Sequence, residues 1–263
     1  MLQLKKGIRL ETLQQPLKQS LVTAARIGAD GVEINARTQL RPAEMSRTGI
    51  RHLLKMMEDL NLKVAALHYP TRRGYENAGE LERRIEGTKA ALSLAYDLGA
   101  TSVVNHIGLV PEDQESVAWK TMHQALTDIA VHSQKCGAWL TAETGSQPAE
   151  RLAQIIGALP LMAIGVDFDP GNILINGFSP DESMKLLAEH VMGFRVRDAV
   201  RDLAQGRGLE VQLGRGSIDW PSLLGQLEQK NYAGYMTIDR TAGADEVVAQ
   251  SAESMEYLTN LFG

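Results

Sequence analysis

The sequence predicts an α/β protein built as a single (β/α)8 TIM barrel over residues 1–263. Two observations indicate this fold. Eight short β-branched or apolar runs alternate with amphipathic helical stretches, which is typical of a parallel sheet. Eight strand–helix units in 263 residues also match the usual size of the barrel. Since no Pro/Ser-rich linker or charge block divides the chain, we expect one domain.

The predicted strands follow one another along the whole chain. They are GIRL at 7–10, GVEIN at 31–35, KVAALH at 63–68, SVVNHI at 102–107, WLTAE at 139–143, IGVDFD at 164–169, GFRVR at 193–197 and GYMTID at 234–239. Apolar residues recur at three- and four-residue spacing over 47–61 and 81–99, which predicts helices there. Asn61 and Gly99 are the expected stop signals of these two helices.

A doubly wound open sheet is the alternative architecture. It usually carries a glycine-rich turn directly after its first strand, and RLETLQQP at 9–16 contains no glycine. The G-x-G of LGRGSIDW at 213–220 follows a long loop rather than a strand. It is therefore weak evidence for a dinucleotide site.

The composition favours small-molecule partners. A net charge of -5 argues against a nucleic-acid binder, which needs a surplus of Lys and Arg. The single Cys136 cannot form an internal disulfide, and no apolar run has the roughly 20 residues of a membrane span. The amino-terminal run is too short for a signal peptide. We expect a cytoplasmic protein without membrane contact, and a homodimer is the default assembly.

Polar residues end most of the predicted strands. In chain order they are Glu33, Asn35, His68, Asn105, His106, Glu143, Asp169, Arg195, Arg197 and Asp239. Barrel enzymes carry their chemistry at the carboxyl ends of the strands. Buried carboxylates are also costly unless they are paired or bound to a metal. The set therefore predicts a functional site, with simple hydrogen bonding at the barrel mouth as the alternative for any one residue.

Four segments resemble the xylose-isomerase-like TIM barrels. They are AETG at 142–145, VDFDPGNIL at 166–174, RVRDA at 195–199 and LGRGSIDWPSLLGQLEQKNYAGYMTIDR at 213–240. The superfamily includes sugar isomerases and epimerases, inosose dehydratases, hydroxypyruvate isomerases and endonuclease IV enzymes. The resemblance covers essentially the whole chain. It implies an isomerase or epimerase of a sugar or sugar phosphate that works through an enediolate, with an inosose-type dehydratase as an alternative.

The resemblance also implies a divalent metal, Mn2+ or Mg2+. The family ligands are a Glu, an Asp, a His and a Glu at the ends of strands five to eight. Carried over to this chain, they are Glu143, Asp169 and the shorter Asp239. The histidine position falls on Arg195, because the family's H-x-K-D reads RVRD at 195–198.

Arg195 leaves two arrangements open. An arginine stays protonated and has no lone pair, so it cannot bind a metal. The three carboxylates can still hold Mg2+ or Mn2+ if Arg195 turns toward Asp167 or a substrate anion. Alternatively, the guanidinium replaces the metal among the carboxylates, and no metal binds. Arg197 is expected at the same rim, near Asp167 or Asp198.

The resemblance assigns catalytic and binding roles as well. Glu143 and Asp239 would form the acid/base pair that removes and returns the proton. The implied or candidate substrate-binding residues are Glu33, His68, His106, Asn172, Arg195 and Arg201. The long segment 197–217 is expected to be an anion clasp or a solvated loop. A catalytically silent sugar-binding barrel that has lost the metal is the alternative function.

Overall fold

Eight parallel strands close into a barrel in the computed structural model, which describes residues 5–160, 163–201 and 207–262. The barrel strands are β1 (Lys5–Arg9), β2 (Gly31–Asn35), β3 (Lys63–His68), β4 (Ser102–Asn105), β5 (Trp139–Glu143), β6 (Gly165–Phe168), β7 (Val191–Val196) and β10 (Tyr235–Ile238). Each strand pairs with its neighbour in chain order, and β10 closes the ring against β1. The predicted fold class is confirmed.

Helices cover the outside of the barrel. They are α1 (Leu17–Arg26), α2 (Arg47–Asp59), α3 (Leu81–Asp97), α4 (Val117–Cys136), α5 (Ala149–Ala158), α6 (Pro170–Ile175), α7 (Pro180–Leu187), α8 (Trp220–Gln229) and α9 (Ala244–Phe262). Asn61 and Gly99 follow α2 and α3 with φ of 55° and 76°, so both predicted stop signals are confirmed. Within the described ranges, no helix is both long and apolar enough to cross a membrane.

The alternation of side chains along the strands places the charged residues inside the barrel. Val166 and Phe168 on β6, and Phe194 and Val196 on β7, are buried in the apolar layer under the helices. Because successive strand residues point to opposite faces, the intervening residues of both strands face the barrel interior. Arg195 and its strand neighbours therefore lie inside the barrel and near its carboxyl end.

Two glycines make room for larger side chains in the layer beneath the charged residues. Gly7 has no room for a Cβ against Thr237, and a Cβ on Gly31 would overlap the ring of Tyr235. A cavity of about 350 Å³ opens at the amino end of the barrel and reaches Glu33 and Asp167. These charged residues thus separate the amino-end cavity from the carboxyl end of the barrel, where barrel enzymes carry their chemistry.

The segment 197–217 contains an antiparallel hairpin of β8 (Asp198–Val200) and β9 (Leu209–Val211). The Asp198 carboxylate accepts hydrogen bonds from the backbone N–H groups of Gly214 at 2.9 Å and Gly216 at 3.0 Å. A Cβ on Gly216 would overlap that carboxylate. This contact explains Gly216, and the φ of 82° explains Gly214, so neither glycine of LGRG points to dinucleotide binding. Part of the predicted loop, 202–206, lies outside the described residues.

Candidate active site

Three guanidinium groups converge on one carboxylate oxygen at the carboxyl end of the barrel. Oδ2 of Asp239 lies 2.8 Å from Arg197 Nη2, 3.1 Å from Arg9 Nη1 and 3.8 Å from Arg195 Nη1. Thr12 Oγ1 donates to Oδ1 of Asp239 at 3.2 Å. Burial alone would raise the pKa of Asp239, but the arginines outweigh it and hold that pKa well below its usual range. Asp239 is therefore ionised and a weak base.

Arg195 is turned away from the position predicted for a metal. Its Nε donates to Asp167 Oδ2 at 2.6 Å, and its Nη2 lies 2.8 Å from Glu33 Oε2. Only 2% of its side chain is exposed. Burial opposes the charge, but Asp167, Glu33 and Asp239 raise the pKa of Arg195, which stays a cation. Of the two predicted arrangements of this side chain, the structure has the one directed at Asp167.

Arg197 occupies the centre of the site. Its Nη1 lies 3.5 Å from Asp169 Oδ2, its Nη2 lies 2.8 Å from Asp239 and its Nε lies 3.8 Å from Glu210. The prediction that it lies near Asp167 or Asp198 is wrong. β7 ends at Val196, and the Asp198 carboxylate is committed to the hairpin backbone, so the Arg197 side chain extends over the barrel mouth instead.

Arg9 was not among the predicted site residues. It contacts both Asp239, which the other arginines share, and His68. Its Nη2 lies 2.7 Å from His68 Nδ1, and the other ring nitrogen, Nε2, lies 3.2 Å from Glu143 Oε1. Arginine only donates, so Nδ1 accepts from Arg9 in the neutral ring, whose Nε2–H then donates to Glu143. Burial lowers the pKa of His68, but Glu11 and Glu143 outweigh it and raise that pKa, so the carboxylates favour the charged ring and the Arg9 charge favours the neutral one.

Glu143 is the most accessible of the four carboxylates that line the cavity of the site. Its side chain is 28% exposed, compared with 12% for Asp239 and 10% for Asp169. Burial raises the pKa of Glu143, but the hydrogen bond from His68 and the charges of His68, Arg195 and Arg9 outweigh it and lower that pKa to about 2. Glu143 is thus ionised at neutral pH and faces the barrel mouth.

The remaining candidate binding residues differ in whether they reach the cavity of the site. Asn172 is fixed to the backbone: its Nδ2 donates to the Thr144 carbonyl at 2.6 Å, and its N–H donates to Asp169 at the start of α6 at 2.8 Å. His106 is half-buried, and Thr71 donates to its carbonyl at 3.4 Å. Arg201 is exposed beside the undescribed segment. Of these three, only Asn172 lines the cavity of the site.

The cavity has a volume of about 170 Å³ and almost entirely polar walls. Its lining residues are Arg9, Glu143, Thr144, Asp167, Asp169, Asn172, Arg195, Arg197 and Asp239. Three arginines and four carboxylates leave the lining with one net negative charge. Such a wall offers both donors and acceptors to a molecule rich in hydroxyl groups.

The residues of this site do not fit a divalent metal as they are arranged. Asp239 and Asp169, two of the three predicted ligands, are bridged by Arg197, and Glu143 accepts from His68. Within the described part of the chain, no three His, Cys, Asp or Glu residues are grouped so that they could hold a metal ion. A cation placed beside Asp239 would meet the charges of three arginines.

This protein has a closed parallel barrel with carboxylates at its carboxyl end. These features are typical of TIM barrels, which carry their chemistry at that end. The chain belongs to the xylose isomerase-like TIM barrel family, whose model matches residues 21–261. No curated protein matches this chain.

Solved structures with the same fold are distant in sequence. A xylose isomerase domain protein from Planctomyces limnophilus is 21% identical, with a TM-score of 0.84 over 98% of this chain and 97% of that one. A xylose isomerase-like TIM barrel protein from Mycobacterium smegmatis in complex with magnesium is 15% identical, with a TM-score of 0.77 over 99% and 96%. D-allulose 3-epimerase from Methylomonas sp. in complex with D-allulose is 14% identical, with a TM-score of 0.75 over 99% and 98%.

Proposed function

We propose that this chain binds a sugar or sugar phosphate in the cavity at the carboxyl end of the barrel and isomerises it through an enediolate. One observation carries the proposal: the Glu143 carboxylate, oriented by His68 at 3.2 Å, faces a polar cavity that three guanidinium groups also line. A base and a group of fixed cations in one cavity are what proton abstraction next to a carbonyl requires. The D-allulose complex of a relative with the same fold supports the substrate class.

Glu143 is the proton carrier in this proposal. His68 Nε2–H fixes the carboxylate, and the exposed part of Glu143 is directed to the space that a ligand would occupy. A carboxylate with a pKa of about 2 is a weak base, so proton removal depends on cations that stabilise the negative charge developing on the substrate oxygen.

Asp239 is unsuited to the second proton-transfer role that the resemblance implies. Arg197 at 2.8 Å and Arg9 at 3.1 Å hold its carboxylate ionised. A single base returns a proton only to the face from which it was taken. Aldose–ketose isomerisation needs no more than that at carbon, because its other proton passes from one substrate oxygen to the other, whereas inversion at one carbon needs a second group on the opposite face. The geometry therefore favours isomerisation over epimerisation.

A second candidate function is sugar binding without turnover. It is favoured by the same contacts of Asp239, because a carboxylate shared by three guanidinium groups is available for neither metal binding nor proton transfer. In this case, the cavity would retain a ligand through hydrogen bonds alone.

Deuterium incorporation separates the two candidates. The protein is dialysed against EDTA, transferred to D2O and incubated with aldoses and ketoses of four to six carbons, with and without phosphate. Proton NMR follows exchange at the carbon next to the carbonyl. We expect exchange that Glu143→Gln abolishes and that Glu82→Gln, an exposed carboxylate on α3, leaves unchanged. Binding without exchange would support the second candidate, and neither binding nor exchange would refute both.

A further inference from the structure

The guanidinium of Arg197 lies between two carboxylates that the family uses to hold a metal. Its two Nη atoms contact different partners, Nη1 with Asp169 at 3.5 Å and Nη2 with Asp239 at 2.8 Å. These carboxylates come from the ends of β6 and β10, on either side of β7. Arg197 therefore joins three neighbouring strand ends through charge, as a shared cation would.

The path of the chain holds Arg197 in this position. A Cβ on Gly171 would overlap the Cβ, Cγ and carbonyl oxygen of Arg197, so α6 packs directly against this residue. Glu210 on β9 lies 3.8 Å from Arg197 Nε, and Arg240 Nη1 in turn contacts Glu210 at 2.9 Å. Only 17% of the Arg197 side chain is exposed. The backbone and the first side-chain atoms of Arg197 are thus held against α6, and its guanidinium lies among three carboxylates.

The charges of the cavity lead to the same conclusion. Without its arginines, the lining would carry four carboxylates, a set suited to a divalent cation. Arg9, Arg195 and Arg197 already neutralise three of these charges. Arg195, which takes the histidine position of the family, is directed at Asp167 and Glu33 deeper in the barrel. Arg197 is the arginine that remains between the predicted metal ligands.

We propose that Arg197 is a built-in cation that takes the place and the electrostatic role of the divalent metal found in metal-bound relatives. Its N–H groups would donate to the substrate oxygen that becomes negative as Glu143 removes the proton. This catalytic part rests on the proposed function. The replacement of the metal is a separate claim that can be tested without turnover.

A Mn2+ titration tests the replacement. Protein freed of metal with EDTA is titrated with MnCl2 by isothermal calorimetry, and bound metal is then counted by elemental analysis. We expect no stoichiometric binding to wild type and at least tenfold tighter binding to the double variant Arg195→His, Arg197→Gln. The matched control is Arg26→Gln, which removes an exposed arginine on α1 and is expected to behave as wild type.

Two results would overturn the inference. One is wild-type protein that binds one Mn2+ per chain in the micromolar range, and the other is a folded double variant that gains no affinity. If the double variant does not fold, the wild-type titration decides alone.

In the exchange assay, Arg197→Gln is expected to lower the rate at least 100-fold and Arg197→Lys less than tenfold. If no variant shows exchange and wild type binds no metal, the proposed isomerase fails while the replacement of the metal stands.

Discussion

Arg197 Nη2 lies 2.8 Å from Asp239 Oδ2, so the carboxylate that follows the last barrel strand is bound to the arginine that follows β7. The resemblance to the family implies a metal ligand at position 239. In this protein, the charge of Asp239 is balanced by arginines of the chain itself, since Arg9 adds a second contact at 3.1 Å. The pair is the centre of a charged cluster rather than an isolated surface bridge.

Removing the shared carboxylate will destabilise the protein. Asp239→Asn leaves Arg9, Arg195 and Arg197 close together without the charge that they share. Breaking a buried ion pair by removing one partner typically costs about 3–5 kcal/mol. Urea unfolding followed by circular dichroism measures the change. The control Asp97→Asn, an exposed residue at the end of α3, is expected within about 0.5 kcal/mol of wild type. A loss below about 1 kcal/mol for Asp239→Asn would contradict a tightly coupled cluster.

Glu143 will make stability depend on pH in acid. His68, Arg195 and Arg9 lower its folded-state pKa from 4.5 to about 2 against the effect of burial. A lowered carboxyl pKa adds stability that is complete above pH 4.5 and is lost as the pH falls toward 2. The free energy of unfolding of wild type relative to Glu143→Gln is expected to fall by about 2 kcal/mol across that window, since the side chain is 28% exposed. Equal slopes for both proteins would contradict the assignment.

His68 is expected to act on the reaction through Glu143. Without the hydrogen bond from Nε2, the pKa of Glu143 rises toward its ordinary value of 4.5. In His68→Ala, the acid limb of the deuterium-exchange profile should therefore move to higher pH, whereas a purely structural role would lower the rate equally at every pH. His106→Ala is the comparison, because that half-buried side chain does not line the cavity, and its profile should keep the wild-type midpoint.

Gly171 is expected to be required for the position of Arg197. An added Cβ overlaps the backbone and side chain of Arg197, and overpacking of this kind costs about 1–3 kcal/mol. Gly171→Ala should also lower the exchange rate, because it displaces the cation. Gly225→Ala is the matched control: it lies within α8 with open space around the new methyl group and should stabilise the protein by about 0.5–1 kcal/mol. Thermal unfolding and the exchange assay together measure both effects.

The fold could be predicted from the sequence because strand and helix periods are local signals. The structure places a barrel strand at each of the eight predicted positions, although β4 ends at Asn105 rather than at 107. At this strand end, Asn105 Nδ2 donates to the Tyr69 carbonyl at 2.6 Å. The hairpin of β8 and β9 escaped prediction, because three-residue strands are too short to show alternation.

The site was less predictable, because its geometry depends on side-chain directions across the barrel. Arg9 carried a usable signal: it is in the first predicted strand and two residues after Gly7, so it shares the inward face. Nothing in RVRD at 195–198 indicates which arginine would reach Asp169 and which would descend to Asp167. That choice depends on the turn after Val196 and on the competing charges of five carboxylates, namely Glu33, Glu143, Asp167, Asp169 and Asp239.

Deuterium exchange by metal-free protein tests the central claim most directly. Wild-type protein is assayed in D2O with excess EDTA and again after addition of Mn2+, with Glu143→Gln run in parallel. Fixed guanidinium groups in the place of a metal predict the same exchange rate in both conditions and none for Glu143→Gln. Exchange that occurs only after Mn2+ is added would contradict the claim.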